Sequence, residues 1–162
     1  MNIGIFGGSS IFEVGTASDT VLFFDCVRAF AIKNSPDLNW DLITDRLYRR
    51  YLKMEELGAA VDLMKKTEES FGRQRVSDID WLPGRAVKTG LNMSAENISE
   101  LFGKYFDGFS HCVDSARLFF DAFGIYQAVR FVRSDAPWFI VEKARKFEEY
   151  DVLKGRPFWL EA

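Results

Sequence analysis

Apolar and polar positions along this chain change period several times, and each change marks an element. Met1 to Phe6 and Ile11 to Val14 are short apolar runs flanking Gly7-Gly8-Ser9-Ser10, which predicts a hairpin, or one strand and its return. Leu22, Phe23, Cys26, Val27, Phe30 and Ala31 then recur at helical spacing, and Val21, Phe24 and Ile32 widen the face. Ser18 is the expected cap of a helix from Asp19 to about Lys33. A helix apolar nearly all round belongs at the centre of a core. Ser35-Pro36-Asp37 reads as a fresh helix start, with Leu38, Leu42, Ile43 and Leu47 as its buried stripe. Tyr48 to Leu52 is ambiguous in pattern.

A clearer helix spans Glu55 to about Phe71, with Leu57, Ala60, Val61 and Met64 inward. Val76, Ile79 and Trp81 alternate with Ser77, Asp78 and Asp80, predicting a strand over Gln74 to Trp81, and Pro83 to Asn92 reads as a loop. Asn97-Ile98-Ser99-Glu100 has the form of a capping box and opens a short helix with Ile98, Leu101, Phe102 and Tyr105 inward. The longest unbroken pattern follows: Phe109, Cys112, Val113, Ala116, Phe119, Phe120 and Phe123, with Ser110 as cap and Gly124 as stop. Ile125 to Val132 reads as a strand. Ser134-Asp135-Ala136-Pro137 reads as the start of a helix over Trp138 to Leu153, although Trp138 to Val141 suits a strand equally, and Phe158 to Leu160 reads as a terminal strand. Strands and helices mix without regular alternation. The expected fold is α+β: a small, mostly antiparallel or mixed sheet packed against several helices, in a single domain over residues 1–162.

Composition sharpens this only in places. Sixteen phenylalanines and four tryptophans predict an aromatic core, some of which can serve a partner interface. A net charge of −3 disfavours direct nucleic-acid binding, which needs a Lys/Arg excess on one face. Cys26 and Cys112 lie in apolar helical patterns and read as buried free thiols of a cytosolic protein. The chain start has no basic region or cleavage site. The apolar run from Val21 to Ile32 holds Asp25 and Arg28 and is too short to span a bilayer, so no membrane role is expected.

The candidate chemistry is sparse. Gly4-x-x-Gly7-Gly8-Ser9 after a strand resembles the opening of nucleotidyltransferases that adenylylate pyridine nucleotides and phosphopantetheine. Those enzymes continue into a proline and an H-x-G-H pair that stabilises the transferring phosphoryl group. Here the continuation is Ser10-Ile11-Phe12-Glu13-Val14-Gly15, and the one histidine is His111. Nothing beside His111 completes a catalytic triad, and one histidine with two separated cysteines makes no zinc set. Neither catalytic residues, nor a metal, nor a cofactor are expected. Asp78 and Asp80 share a strand face, as a carboxylate pair that suits Mg²⁺ or acid–base work, or a plain solvent-facing alternation. Asp37, Asp41 and Asp45 fall four apart on one helix face, as a patch that steers a basic partner, or a solvated face supported by an Asp45–Arg49 pair.

A first strand reaching Gly15, the Phe23-Phe24 helix, the Leu47-Tyr48 helix, the acidic start at Glu55-Glu56 and the strand ending at Asp80-Trp81 together resemble the immunity protein 70 family of bacterial polymorphic-toxin and contact-dependent growth inhibition systems. The resemblance covers residues 1–81. It implies a small cytoplasmic protein without an active site, bound to the C-terminal domain of a cognate toxin. Such proteins cover the toxin's catalytic cleft or block its substrate. Many of these toxins are nucleases, which are basic because they bind phosphate, so the expected toxin-binding residues are Asp37, Asp41, Asp45, Asp78 and Asp80. The alternative is a diverged nucleotide-binding or nucleotidyltransferase-like enzyme that uses the glycine turn.

Overall fold

The first two apolar runs pair with each other. In the computed structural model, which describes residues 1–87, 89–124, 129–135 and 157–160, β1 (Asn2–Gly7) and β2 (Ser10–Thr16) form an antiparallel hairpin. Gly8 turns the chain with φ of 61°, a left-handed conformation that favours glycine. β3 (Arg130–Arg133) adds to the other edge of β1, giving the antiparallel order β2-β1-β3. The register slips between Ile3 and Gly4, leaving Val14 as an extra residue on β2, and this bulge lets Val14 join Ile3 and Ile5 in the main core.

Helices cover that face. α1 (Ala17–Cys26) follows β2 directly, continues through a π-helical turn at Val27–Ala31, and ends in α2 (Ile32–Asn34). α3 (Leu57–Gly72), the short α4 (Leu82–Arg85) and α5 (Ile98–Leu101) lead to α6 (Gly103–Phe123), which lies against β1 and β2. The α6 contact is close because three side chains are missing. A Cβ on Gly7 would collide with the Cys112 carbonyl, and one on Gly8 with Ser115. One on Gly108 would sit 2.7 Å from a Phe12 ring carbon. The Cys112 thiol fills the interface and donates to the Ile5 carbonyl at 3.2 Å.

Phe23 is the hub of the core. Its ring stacks on Tyr105, with centroids 4.7 Å apart, and meets Phe71, Phe102 and Phe106 edge-on. Phe24 extends the cluster to Tyr48 and Phe131, which both reach Trp159. The Trp159 indole N–H donates to the Tyr48 carbonyl at 2.8 Å. On the reverse sheet face Phe6 and Val132 are buried, and the fully buried Arg130 guanidinium lies 4.6 Å from the Phe6 ring centroid. The expected α+β domain is therefore present, with its aromatics spent largely on the core.

Several local expectations are corrected. Thr16, not Ser18, caps α1: its Oγ1 accepts from Asp19 N–H at 3.1 Å while Asp19 Oδ2 accepts from Thr16 N–H at 2.8 Å. Ser35-Pro36-Asp37 is a bend and turn rather than a helix start. The buried Trp40 donates its indole N–H to the Ser35 carbonyl at 2.7 Å, which closes this segment as a loop, and helical structure resumes at Asp41. The predicted strand over Gln74 to Trp81 is instead a 3₁₀ turn at Val76–Asp78, because Val76, Ile79 and Leu82 are buried at a spacing of three. The Pro83 loop starts within α4. Asn97 caps α5 as expected, accepting from Glu100 N–H, but the Glu100 carboxylate accepts from Glu96 N–H, not from the cap residue.

α6 begins at Gly103, so Ser110 lies inside it; Gly124, with φ of 64°, ends it as expected. Its apolar stripe runs past its cover, leaving Phe120 and Phe123 exposed. The Ile125 to Val132 strand is described only from Val129, which bridges Leu52, into β3. Phe158–Leu160 is a 3₁₀ turn, and the expected helix over Trp138 to Leu153 lies outside the described residues.

The close contact between hairpin and α6 makes a contrast testable. Gly7→Ala is expected to lose about 2 kcal/mol, the scale of overpacking. Gly58→Ala, in open space on α3, is expected to gain about 0.5 kcal/mol from helix propensity. Urea denaturation of both variants measures this; equal effects would remove the close-approach argument.

Candidate functional site

The glycine turn was the strongest sequence feature for phosphate chemistry, and its surroundings are helix. The side of Gly7 and Gly8 on which a Cβ would stand holds the Cys112 and Ser115 backbone of α6. Ser115 Oγ also meets Ser9 N–H and the Ser10 hydroxyl, at 3.4 and 3.2 Å. These glycines thus serve helix packing.

Neither the helical stripe of Asp37, Asp41 and Asp45 nor the strand-face pair of Asp78 and Asp80 forms as the sequence periods predict. Asp37 is exposed in the turn before the helical segment, Asp41 is exposed at its start, and Asp45 lies in the π-helical turn Leu42–Leu47. The three share no helical stripe, since Asp37 lies in the turn that precedes the helix. Asp45 is also the partner of two cations: Arg49 at 3.7 Å, the pair expected from the sequence, and Arg50 at 3.5 Å. Asp78 and Asp80 are exposed on a 3₁₀ turn and the residues after it, so they form no strand-face pair. Asp80 lines an open groove of about 640 Å³ together with Ile79, Val87, Met93, Arg75 and Glu96. Its apolar floor and mixed charges favour no particular ligand.

A second concavity, of about 440 Å³, has a sharper character. It forms where β2, the start of α1, the α5–α6 corner and the loop at Asn92 meet. Asp19 and Tyr105 are buried in its wall, while Glu13, Glu100 and Lys104 are exposed and Asn92 lines it too. Asp19 is only 2 % exposed, and one of its oxygens is the cap acceptor for Thr16 N–H. The other, Oδ1, meets no hydrogen-bond donor. The nearby Tyr105 hydroxyl does not supply one. Thr20 donates its single proton to the Thr16 carbonyl at 3.0 Å, so Tyr105, 3.1 Å away, is the donor to Thr20. Burial raises the Tyr105 pKa, which keeps that proton in place.

Sequence reading missed this site. Its signal was Thr16-x-x-Asp19 directly after Gly15, a capping-box spacing that the neighbouring Ser18 masked.

The remaining chemistry-bearing residues stay apart. His111 is exposed on α6 with its ring 5.9 Å from Phe12. Among the described residues no three His, Cys, Asp or Glu side chains gather as a metal set, and no helix is long and apolar enough to cross a membrane. Cys26 and Cys112 are free and buried, as the sequence predicted. Burial, aided by Asp25 and opposed by Arg85, pushes the Cys26 thiol up to about 12, and burial pushes Cys112 up to about 11.

Both thiols stay protonated when folded, which gives stability a pH dependence. Below pH 9, the ordinary thiol value, neither state loses these protons and the contribution is whole. As pH rises from 9 toward 11 and 12 the unfolded thiols ionise first, so stability falls. The urea midpoint is expected to drop over this interval, and to drop less in a Cys26→Ala/Cys112→Ala variant; equal slopes would contradict the assignment.

No family model, no curated protein and no solved structure matches this chain, so its functional reading rests on the residues and geometry above.

Proposed function

We propose that this chain is a cytoplasmic immunity-type inhibitor, a protein without catalytic residues of its own that binds the basic catalytic domain of a toxin, such as a nuclease, and covers its active site or substrate path. The observation that carries the reading is the acidic concavity: three carboxylates, one of them buried with an unpaired oxygen, share its wall with a single lysine. A surface of this kind suits a cationic partner, since complementary charge raises association rate and selects against acidic partners. The net charge of −3 agrees in sign. The resemblance of residues 1–81 to the immunity protein 70 family supports the same class. The nucleotidyltransferase alternative loses its main support, because its glycine turn is packed against α6.

Capture of the tagged protein's partner from its own organism's lysate tests the proposal. The expected partner is a basic domain with toxic enzymatic activity, held in about equimolar amount and silenced when one equivalent of this protein is added back. Capture of nothing, together with thermal stabilisation by a nucleotide, would overturn the reading. With the partner in hand, Asp37→Asn/Asp41→Asn/Asp45→Asn is expected to change affinity by no more than about twofold, the scale of exposed or already paired charges. A loss of tenfold or more would restore the three aspartates as the interface.

A further inference from the structure

A buried carboxylate that lacks a counter-charge is costly unless something meets it. The N-terminus of α1 meets one oxygen of Asp19, while the buried Oδ1 has no donor among the described residues. Asp19 is held in place by the cap of α1, and no ion pair to it forms within 4 Å among the described residues. The lysine of the wall, Lys104, also makes no ion pair among the described residues. The cavity beside Asp19 has room for an organic cation, and its wall holds acceptors at two depths. Glu13 and Glu100 are exposed at the rim, where one oxygen of Glu13 accepts from the Ser134 hydroxyl and one of Glu100 from Glu96 N–H, and the Tyr105 oxygen, its proton committed to Thr20, is an acceptor below them. The described residues offer no metal set here. Several acceptors spread over one cavity suit a planar group with many fixed donors more than a compact ammonium with three.

We propose that this cavity receives an arginine side chain of the protein partner. Its guanidinium donates to Asp19 Oδ1, the oxygen without a donor, with the Glu13 and Glu100 carboxylates around it. The buried charge acts through a medium of low dielectric, so it counts for more than its exposed neighbours. The inference rests on the inhibitor reading for the identity of the partner, while the cavity's preference for arginine is testable without that partner.

The experiment is a titration of the isotope-labelled full chain with N-acetyl-arginine amide, followed by amide chemical shifts, with N-acetyl-lysine amide and N-acetyl-citrulline amide as comparison probes. Saturable shifts are expected around Thr16, Asp19, Glu100 and Lys104, strongest for arginine, weaker for lysine and absent for the neutral citrulline. Asp19→Asn keeps an acceptor for the α1 cap and removes the charge, and is expected to weaken arginine binding about tenfold, the scale of a hydrogen bond to a charged group. Should that variant fail to fold, Glu13→Gln/Glu100→Gln alters only exposed side chains and is expected to weaken binding about fivefold. Absence of saturation, citrulline binding equal to arginine, lysine binding as tight as arginine, or unchanged affinity in the folded variants would each overturn the proposal. Such a failure would leave the lysate capture to decide the inhibitor reading by itself, and failure of the capture would leave the arginine titration interpretable.

Discussion

The structure depends on one contact made by absent side chains. Gly7, Gly8 and Gly108 let the β1–β2 hairpin and α6 approach until backbone meets backbone, with the Cys112 thiol bonded to the Ile5 carbonyl between them. A protein interior tolerates neither a void nor an extra methyl group at such a place. The approach fixes the position of α6 on the sheet, and α6 in turn carries Tyr105 and Phe106 to Phe23. The hairpin ends at Thr16, where α1 begins with its reciprocal cap. The acidic cavity lies where these constraints converge, so its shape follows from the packing of hairpin, α1 and α6 and needs no lid or moving part.

The aromatic content also finds its account here. Phe23 touches rings from α1, α3, α6 and the α5–α6 corner, mostly edge-to-face, an arrangement that the ring quadrupole favours. Phe24 carries the network to Phe131 on β3 and, through Tyr48, to Trp159. One continuous aromatic core thus links sheet and helices.

Much of the fold was legible because its signals were long or chemically specific. The α3 and α6 stripes extend over several turns, and Gly124 in the left-handed region ended α6 as its composition implied. The first hairpin followed from two apolar runs about one glycine turn. The failures share a cause in short windows. Val76, Ile79 and Leu82 are three apart, and with Trp81 among them the same residues mimic strand alternation. Ser35-Pro36 has the composition of a helix start, but the Trp40 indole captures the Ser35 carbonyl, a tertiary choice that no local pattern encodes. The candidate site failed in the same way. Thr16 and Asp19 were readable as a cap, yet Glu13, Glu100 and Tyr105 come from three other places in the chain and share a cavity only after folding.

The contrast between the predicted aspartates and the observed cavity is a matter of dielectric rather than number. Asp37, Asp41, Asp78 and Asp80 stand in water, where a charge at 4 Å is worth about 1 kcal/mol before screening and side-chain entropy reduce it. Asp45 already has two arginines. Asp19 differs because the cap of α1 fixes it beneath the surface, and the proton of the Tyr105 hydroxyl in the same wall is committed to Thr20. Asp19 also stands in the first turn of α1, where the helix N-terminus favours a carboxylate over a neutral asparagine, so the cap accounts for the charge and leaves only Oδ1 without a donor among the described residues.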